Sequence, residues 1–257
     1  MLNDKGQVLN TQKIPINHNR LEWVSSVNAL NHSRIGFCNS SISLSGGILG
    51  TISESGIRDI PVSERMDMQN KEWETTLTYP IEYYDNNFGS VYLNRIYTAS
   101  DNNNYFLYGF PIEPQIYRFN SDFSVCDTVH VQSRYDKGLT TCMNNQEEIE
   151  DDGSLEIQYF VSQLSYSDIL YDPYRHLYIR AVNHPIEGWK RNHHFIQPRS
   201  FIIVNETGEV LSESRKLTDC ADLDFGNMHI CSDGLLIAQT CEDENYIQFR
   251  CYNIRNK

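Results

Sequence analysis

The sequence lacks any run of about 20 apolar residues, the length that a helix needs to cross a bilayer. We therefore predict no transmembrane segment. Basic residues are also few: 21 stand against 34 acidic residues, which gives a net charge of −13. A chain this acidic repels phosphate backbones, so nucleic acid is not expected as a partner.

Motifs of catalysis and metal binding are missing too. The chain has seven cysteines but no C-x-x-C pair, which a zinc ribbon or a thioredoxin-type site would need. No serine lies in a G-x-S-x-G elbow, and Asp219, Asp222 and Asp224 do not have the spacing of a calcium loop. We therefore predict no catalytic residue, no metal and no cofactor. We expect all seven thiols to be free and mostly buried.

Helical periodicity is scarce: even the best stretch, 63–77, does not keep its apolar residues on one face. The chain has instead 16 tyrosines and many short apolar runs bounded by Asn, Asp, Gly and Pro, a pattern typical of strands. The clearest predicted strands are Tyr105–Phe110, Ile116–Phe119, Leu177–Val182, Phe201–Val204, Leu235–Thr240 and Tyr246–Tyr252.

The strands recur in hairpins. "VNETGEVLSESRKL" from Val204 and "LNDKGQVLNTQKI" from Leu2 both read as two strands joined by a tight glycine turn. "FNSDFSVCDTVHV" from Phe119 has the same outline without the glycine. Each later hairpin follows a turn and a strand, so the unit is four strands, typical of a propeller blade of about 40–50 residues. The acidic run "NNQEEIEDDGS" from Asn144 is predicted to be a solvated loop inserted into this repeat.

We therefore predict a single all-β domain over residues 1–257: a β-propeller of four-stranded antiparallel blades, with four to five blades present. Because the chain begins inside a hairpin, we expect an incomplete six-bladed ring that lacks one or two N-terminal blades. Met1–Gly6 has neither a basic nor an apolar region, so no signal peptide is expected.

The stretch "YDPYRHLYIRAVNHP" illustrates one blade. Tyr166–Tyr171 is predicted to be the inner strand that lines the channel, and Leu177–Val182 the second strand. Asp172–Arg175 is the turn between them, because proline at its second position fixes φ for such a turn.

Arg180 lies in the middle of that second strand, where neighbouring blades bury both faces of the sheet. We expect it to find a carboxylate or carbonyl partner across the blade interface, because a buried guanidinium needs one. The alternative is an anion site formed with Arg175 and His176.

The most unusual segment is "NHPIEGWKRNHHFIQPRS", Asn183–Ser200, which joins two strands that a few residues would suffice to join. Its basic residues and three histidines, beside a tryptophan, favour an anion held by charge-assisted hydrogen bonds and a stacking face. The alternative is an ordinary solvated or packing insertion. The candidate ligand-binding residues are Trp189, Lys190, Arg191, His193 and His194.

Together "YDPYRHLYIRAVNHP", "FIIVNETGEVLSE" and "ICSDGLLIAQTCEDENYIQFRCYNI" resemble a family of six-bladed, TolB-like propellers of unknown function that is typical of gut Bacteroidetes. The resemblance covers roughly Tyr92–Tyr252. It implies the cell envelope, as periplasmic or surface lipoproteins, and it brings no catalytic residues. We expect the N-terminal leader and first blades of that family to be missing here.

The predicted function is therefore non-catalytic binding: a scaffold in the bacterial cell envelope for a protein, peptide or glycan. The alternative is a propeller enzyme, a hydrolase or lyase that acts on a glycan or lactone. A metal cluster or a carboxylate pair at the channel mouth would favour the enzyme.

Overall fold

Strands dominate the described part of the structure, a computed structural model, and these residues form four antiparallel sheets and one α-helix. It describes residues 34–38, 41–45, 61–67, 69–84, 86, 88, 92–101, 105–138, 140, 153–189, 196–241 and 246–254. Within these ranges no helix is both long and apolar enough to span a bilayer.

Each sheet is built from consecutive strands that pair in chain order. Sheet 1 contains β1 Arg34–Cys38, β2 Ser41–Ser45, β3 Pro61–Asp67 and β4 Trp73–Thr78. Sheet 2 contains β5 Tyr97–Ser100, β6 Tyr105–Gly109, β7 Gln115–Asn120 and β8 Cys126–His130. Sheet 3 contains β9 Ser165–Asp172, β10 Leu177–Asn183, β11 Arg199–Asn205 and β12 Val210–Glu213. Sheet 4 contains β13 Leu223–Cys231, β14 Gly234–Gln239 and β15 Gln248–Tyr252.

The first strand of each sheet contacts the first strand of the next. β1 lies against β5, β5 against β9, and β9 against β13. The sheets therefore follow one another in chain order, with their first strands on the inside of the series.

Connections at the two ends of the sheets differ in length. First-to-second and third-to-fourth strands are joined by two to five residues, for example 173–176 and 206–209. Most of the other connections are longer, such as 79–96, 131–164 and 184–198. Because neighbouring strands are antiparallel, the short connections lie at one end of each sheet and the others at the opposite end. We call these ends the short-turn end and the long-connection end.

Three core clusters fill the spaces between the sheets. The period-two alternation of strand side chains decides which cluster a residue joins. On β6, Phe106 and Tyr108 join the first cluster, between sheets 1 and 2, whereas Leu107 joins the second. On β10, Tyr178 joins the second cluster, between sheets 2 and 3, whereas Ile179 joins the third, between sheets 3 and 4.

Most predicted strands are confirmed. The last one is shorter than predicted, because Tyr246 and Ile247 are exposed and precede β15. The predicted hairpin from Leu2 lies outside the described residues, as does most of the acidic run from Asn144. The end of that run instead opens an unpredicted helix, α1, Gly153–Ser162.

The β7–β8 hairpin shows how a turn forms without glycine. Phe123 takes φ +59, a left-handed conformation that non-glycine residues seldom adopt. The Asn120 side chain supports this turn, since its Oδ1 accepts a hydrogen bond from the Val125 amide at 3.1 Å. In the homologous position of the β11–β12 hairpin, Gly208 has φ +90.

Cysteine burial differs from the prediction. The five cysteines with a described environment are all free, but only Cys220 is buried. Cys126 and Cys251 are exposed, because they lie on β8 and β15, the last strands of their sheets. The expectation of mostly buried thiols is therefore wrong for these residues.

Candidate functional site at the long-connection end

The loop predicted to bind ligand begins at the long-connection end, between β10 and β11. Trp189 is half-buried and packs against the first core cluster, directly after a turn in which Gly188 has φ +66. The basic candidates of the loop lie outside the described residues, so the anion-binding surface stays a prediction. They are Lys190, Arg191, His193 and His194.

His184, the first histidine of this loop, is not part of an exposed basic cluster. It is 1% exposed, and its Nε2 lies 2.9 Å from Ser200 Oγ. Ser200 gives its one proton to Glu213 at 2.7 Å, so the His184 Nε2–H must be the donor to Ser200. Burial, helped by Lys216, lowers the pKa of His184 to about 4. The imidazole is therefore neutral at pH 7.

Glu213 fastens the longest connection to sheet 3. Its carboxylate accepts hydrogen bonds from Ser133 Oγ at 2.7 Å and from the Arg134 amide at 2.8 Å, as well as from Ser200. One acidic side chain thus joins three segments, which fixes the start of the 131–164 connection over the end of β12.

Arg180 reaches from sheet 3 into sheet 2. Its side chain is fully buried, and Nη2 donates to the Phe110 carbonyl at 3.0 Å. The expected carbonyl partner is thus present, but no carboxylate of the described residues forms an ion pair with Arg180, and Nε and Nη1 have no hydrogen-bond partner. The rings of Tyr97 and Tyr166 flank the guanidinium, with their centroids 5.9 and 5.8 Å from Cζ.

Gly109 makes room for this guanidinium. A Cβ added at Gly109 would lie 2.3 Å from Nη1 of Arg180 and 2.6 Å from its Cζ. The absence of a side chain at the end of β6 therefore lets Arg180 lie directly on the backbone of the neighbouring sheet.

Glu113, in the connection between β6 and β7, adds a second unusual group. The residue is 2% exposed, and burial raises the pKa of its carboxyl to about 7, although a hydrogen bond from Tyr117 and the charge of Arg180 act in the opposite direction. Its Oε1 has no hydrogen-bond partner. A buried carboxyl with a pKa near neutrality is typical of functional sites, although structural networks produce the same shift.

Tyr166, whose ring flanks Arg180, also contacts the connection between β8 and β9. Its hydroxyl donates to Asp136 at 2.7 Å and accepts from the Ser133 amide at 3.1 Å. We define the Arg180 cluster as Gly109, Glu113, Tyr97, Tyr166 and Arg180.

Most of this cluster is not predicted by the sequence. Glu113 lies in "PIEPQ", where an acidic residue stands between two prolines directly after an apolar strand. Gly109 ends an otherwise bulky strand, which is a signal of close backbone approach. Both signals are local and weak, and only the packing of sheets 2 and 3 brings them together with Arg180.

The alternative anion site of Arg175, His176 and Arg180 is not assembled. Arg175 lies at the short-turn end, where it pairs with Asp172 at 2.9 Å and donates to the Ser232 carbonyl at 2.6 Å. His176 lies 3.2 Å from Glu206 on the same end. Arg180 points instead toward the long-connection end of sheet 2.

The three aspartates near β13 differ in their surroundings. Asp222 pairs with Arg250 at 2.9 Å, whereas Asp224 accepts from the Gly226 amide, and Asp219 is exposed. Within the described ranges, no three His, Cys, Asp or Glu side chains are grouped closely enough to hold a metal ion.

Comparison with known proteins shows a shared fold. No family model matches the sequence, and no curated protein matches it. The crystal structure of a member of the DUF4221 family from Bacteroides vulgatus matches with a TM-score of 0.65 and 19% identity, over 88% of this chain and 64% of that one. An acylaminoacyl peptidase in complex with Z-Gly-Gly-Phe-chloromethyl ketone gives a TM-score of 0.43 at 8% identity over 90% and 34%, which is too low to support an argument. This chain thus has the fold of part of a Bacteroides protein from a family without assigned function, and it spans about 64% of that protein's length.

Proposed function

We propose that this chain is a β-propeller of the six-bladed, TolB-like type that acts as a non-catalytic binding module through its long-connection end. The observation that carries the proposal is the difference between the two ends of the sheets. Strands at one end are joined by two to five residues, whereas most connections at the other end are longer.

The arrangement of the sheets supports the propeller. Each sheet is an up-and-down meander, and successive first strands contact one another, as blades around an axis do. Core clusters lie between neighbouring sheets, so each described sheet packs face to face with the next.

The described turns between β9 and β10 and between β11 and β12 offer little adaptable surface. Asn205 Oδ1 accepts from the Glu209 amide at 2.8 Å, and Asp172 Oδ1 accepts from the Tyr174 amide at 2.9 Å. These turns are closed by their own side chains, a common use of Asn and Asp. Longer connections on a rigid scaffold are the usual carriers of binding residues.

The partner that fits best is a protein, peptide or glycan of the bacterial envelope. The envelope rests on the family resemblance of the sequence. Nucleic acid does not fit, because the net charge is −13. A local cation-rich loop on so acidic a chain would favour an acidic partner.

The test is a double variant, Trp189→Ala with Arg191→Ala, assayed for binding to immobilised polygalacturonate and to envelope extracts. Each exposed contact contributes about 0.5–1 kcal/mol, so the pair should weaken binding by about five- to thirtyfold. Binding by the unchanged chain should strengthen as the pH falls from about 7.5 to about 5.5, because histidines titrate in that range.

The matched control removes an aromatic and a cationic side chain from the short-turn end, as Tyr174→Ala with Lys71→Asn. Tyr174 is 59% exposed, and Lys71 has φ +59, which asparagine tolerates. The control should bind like the unchanged chain. Equal binding and equal pH dependence in all three proteins would contradict the proposal.

A second candidate is an enzyme that acts on a glycan or lactone. One observation favours it: the buried Glu113 carboxyl, whose pKa of about 7 suits a general acid or base. Turnover of nitrophenyl glycosides or of simple lactones, abolished by Glu113→Gln, would establish this alternative. Binding of a partner without any turnover would support the binding module instead of the enzyme.

A further inference from the structure

The guanidinium of Arg180 is a positive charge enclosed between sheets 2 and 3, and it has more donors than acceptors. Only Nη2 has a partner, the Phe110 carbonyl, while Nε and Nη1 have none. Nε and Nη1 lie on different edges of the group, so one acceptor can satisfy only one of them. Buried guanidinium groups normally have acceptors for these protons, because leaving them unpaired is unfavourable.

The neighbouring aromatic rings do not supply the missing hydrogen-bond acceptors of Arg180. The Tyr97 and Tyr166 rings lie within cation–π range, with centroids 5.9 and 5.8 Å from Cζ, but they leave the N–H groups of Nε and Nη1 without a hydrogen-bond acceptor. Gly109 closes the group on the side of sheet 2, since even a Cβ there would collide with it. The open positions are therefore the unpartnered edges of the guanidinium and not its face.

Neither Asp168 nor Glu113 neutralises the positive charge of Arg180 by direct contact. Its pKa falls to about 10 because of burial, so it remains charged at pH 7. Asp168 is already paired with Arg199 at 3.2 Å. Glu113 is close enough to interact electrostatically, but it is about half protonated near neutrality and forms no ion pair with Arg180.

We propose that a small monovalent anion of the size of chloride occupies the Arg180 cluster, where it accepts hydrogen bonds from the open edge of the guanidinium. An anion explains the cluster better than water alone, because it compensates the enclosed charge and also accepts from an unpaired donor. The ion must be small, since Arg180, Tyr166 and Glu113 are at most 2% exposed. We expect it to be monovalent, since the cluster contains only one cationic group, Arg180. This proposal does not depend on the proposed binding function.

The first experiment measures the midpoint of thermal unfolding as chloride replaces gluconate at constant ionic strength. A ligand that binds only the folded state raises this midpoint in a saturable manner. We expect a rise of several degrees in the unchanged chain and none in Arg180→Met. Arg118→Met is the matched control: Arg118 is also largely buried and forms an ion pair with Asp127, away from the cluster, so it should keep the chloride response.

A second variant covers the case in which Arg180→Met does not fold. Glu113→Gln keeps the shape of the Glu113 side chain but removes its negative charge, which repels the anion. The variant should therefore lower the chloride concentration needed for half of the effect, most clearly above pH 7. In crystals grown in sodium bromide, an anomalous peak should lie at hydrogen-bonding distance from Arg180. The proposal is overturned if chloride and gluconate give the same midpoint in the unchanged chain, if Arg180→Met retains the full response, or if no anomalous peak appears at Arg180.

Discussion

Glu113 and His184 are two buried side chains that respond to pH in opposite directions. Burial raises the pKa of Glu113 to about 7 and lowers that of His184 to about 4. Both groups therefore favour their neutral forms in the folded chain. Glu113 disfavours folding as the pH rises from about 4.5 to about 7, and His184 disfavours it as the pH falls from about 6.5 to about 4.

Replacing Glu113 by Gln should tilt the stability profile toward high pH. The folded carboxyl binds its proton more tightly than the unfolded one, so the unchanged chain loses stability as the pH rises from about 4.5 to about 7. That loss is at most about 3 kcal/mol, and the variant escapes it. Urea unfolding at pH 5 and pH 8 measures the difference. Tyr117, Glu82 and Tyr83 face Glu113 together with Arg180, and Gln keeps an acceptor for Tyr117.

His184→Asn is the opposing control, because its stability relative to the unchanged chain should fall as the pH rises from about 4 to about 6.5. If both variants shift stability equally at all pH values, the two groups are not titrating between the folded and unfolded states as described.

Gly109→Ala should destabilise the chain by bringing a methyl group within 2.3 Å of Arg180. Overpacking of this kind costs about 1–3 kcal/mol, or more where the neighbour cannot move. Gly226→Ala is the control, since its added Cβ meets only the flexible Asp224 carboxylate at 3.1 Å. The double variant Gly109→Ala with Arg180→Leu should lose less stability than the sum of the losses of the two single variants. Strict additivity in chemical unfolding would show that Gly109 does not serve Arg180.

The hairpin between β13 and β14 depends on one glycine. Gly234 has φ +147, and an added Cβ would lie 2.1 Å from the Tyr252 carbonyl oxygen. The third strand of sheet 4 therefore passes directly over this position, and a side chain there would push β15 away from β14.

Gly234→Ala should consequently cost more than backbone strain alone. Gly138 provides a close match, because it has φ +148 and open space where a Cβ would be. Gly138→Ala should cost about 1–2 kcal/mol, and Gly234→Ala at least about 2 kcal/mol more. Thermal unfolding of both variants decides the point. Similar losses would show that β15 moves aside without difficulty.

Among the strands and helices, the hairpins are the features that the sequence predicts best. The hairpins were found from alternating apolar residues and turn chemistry, since these act over neighbouring residues. α1 was missed because "GSLEIQYFVS" is rich in Ile, Tyr, Phe and Val, which favour strands. Its helical form depends on tertiary contacts: Phe160 stacks on Tyr92 at 4.7 Å and joins the first core cluster.

The candidate site was less predictable for the same reason. That Arg180 would be buried and bonded across a sheet interface followed from its position in an apolar strand. Glu113 and Gly109 belong to different segments, and their meeting with Arg180 depends on how two sheets pack. The prediction that Trp189 lies beside a basic loop stays untested, because that loop is outside the described residues.

The three core clusters share sheets, which ties the described part of the molecule together. Sheet 2 contributes to the first and second clusters, and sheet 3 to the second and third. Loss of one cluster therefore exposes a face of a sheet that another cluster needs. Domains connected in this way usually unfold in a single transition.

We predict one cooperative transition, which variants at opposite ends of the series shift together. Phe106→Ala, in the first cluster, and Ile237→Ala, in the third, should each lower the free energy of unfolding by about 2–5 kcal/mol, because both side chains are almost completely buried. The thiol of Cys220, buried in the third cluster, reports on that cluster, whereas circular dichroism reports on all the sheets. Cys126 and Cys251 should react with a thiol reagent in the folded chain, and Cys220 only on unfolding. If Phe106→Ala moves the circular dichroism transition but leaves the Cys220 reaction unchanged, sheets 1 and 4 unfold independently and the core is not cooperative.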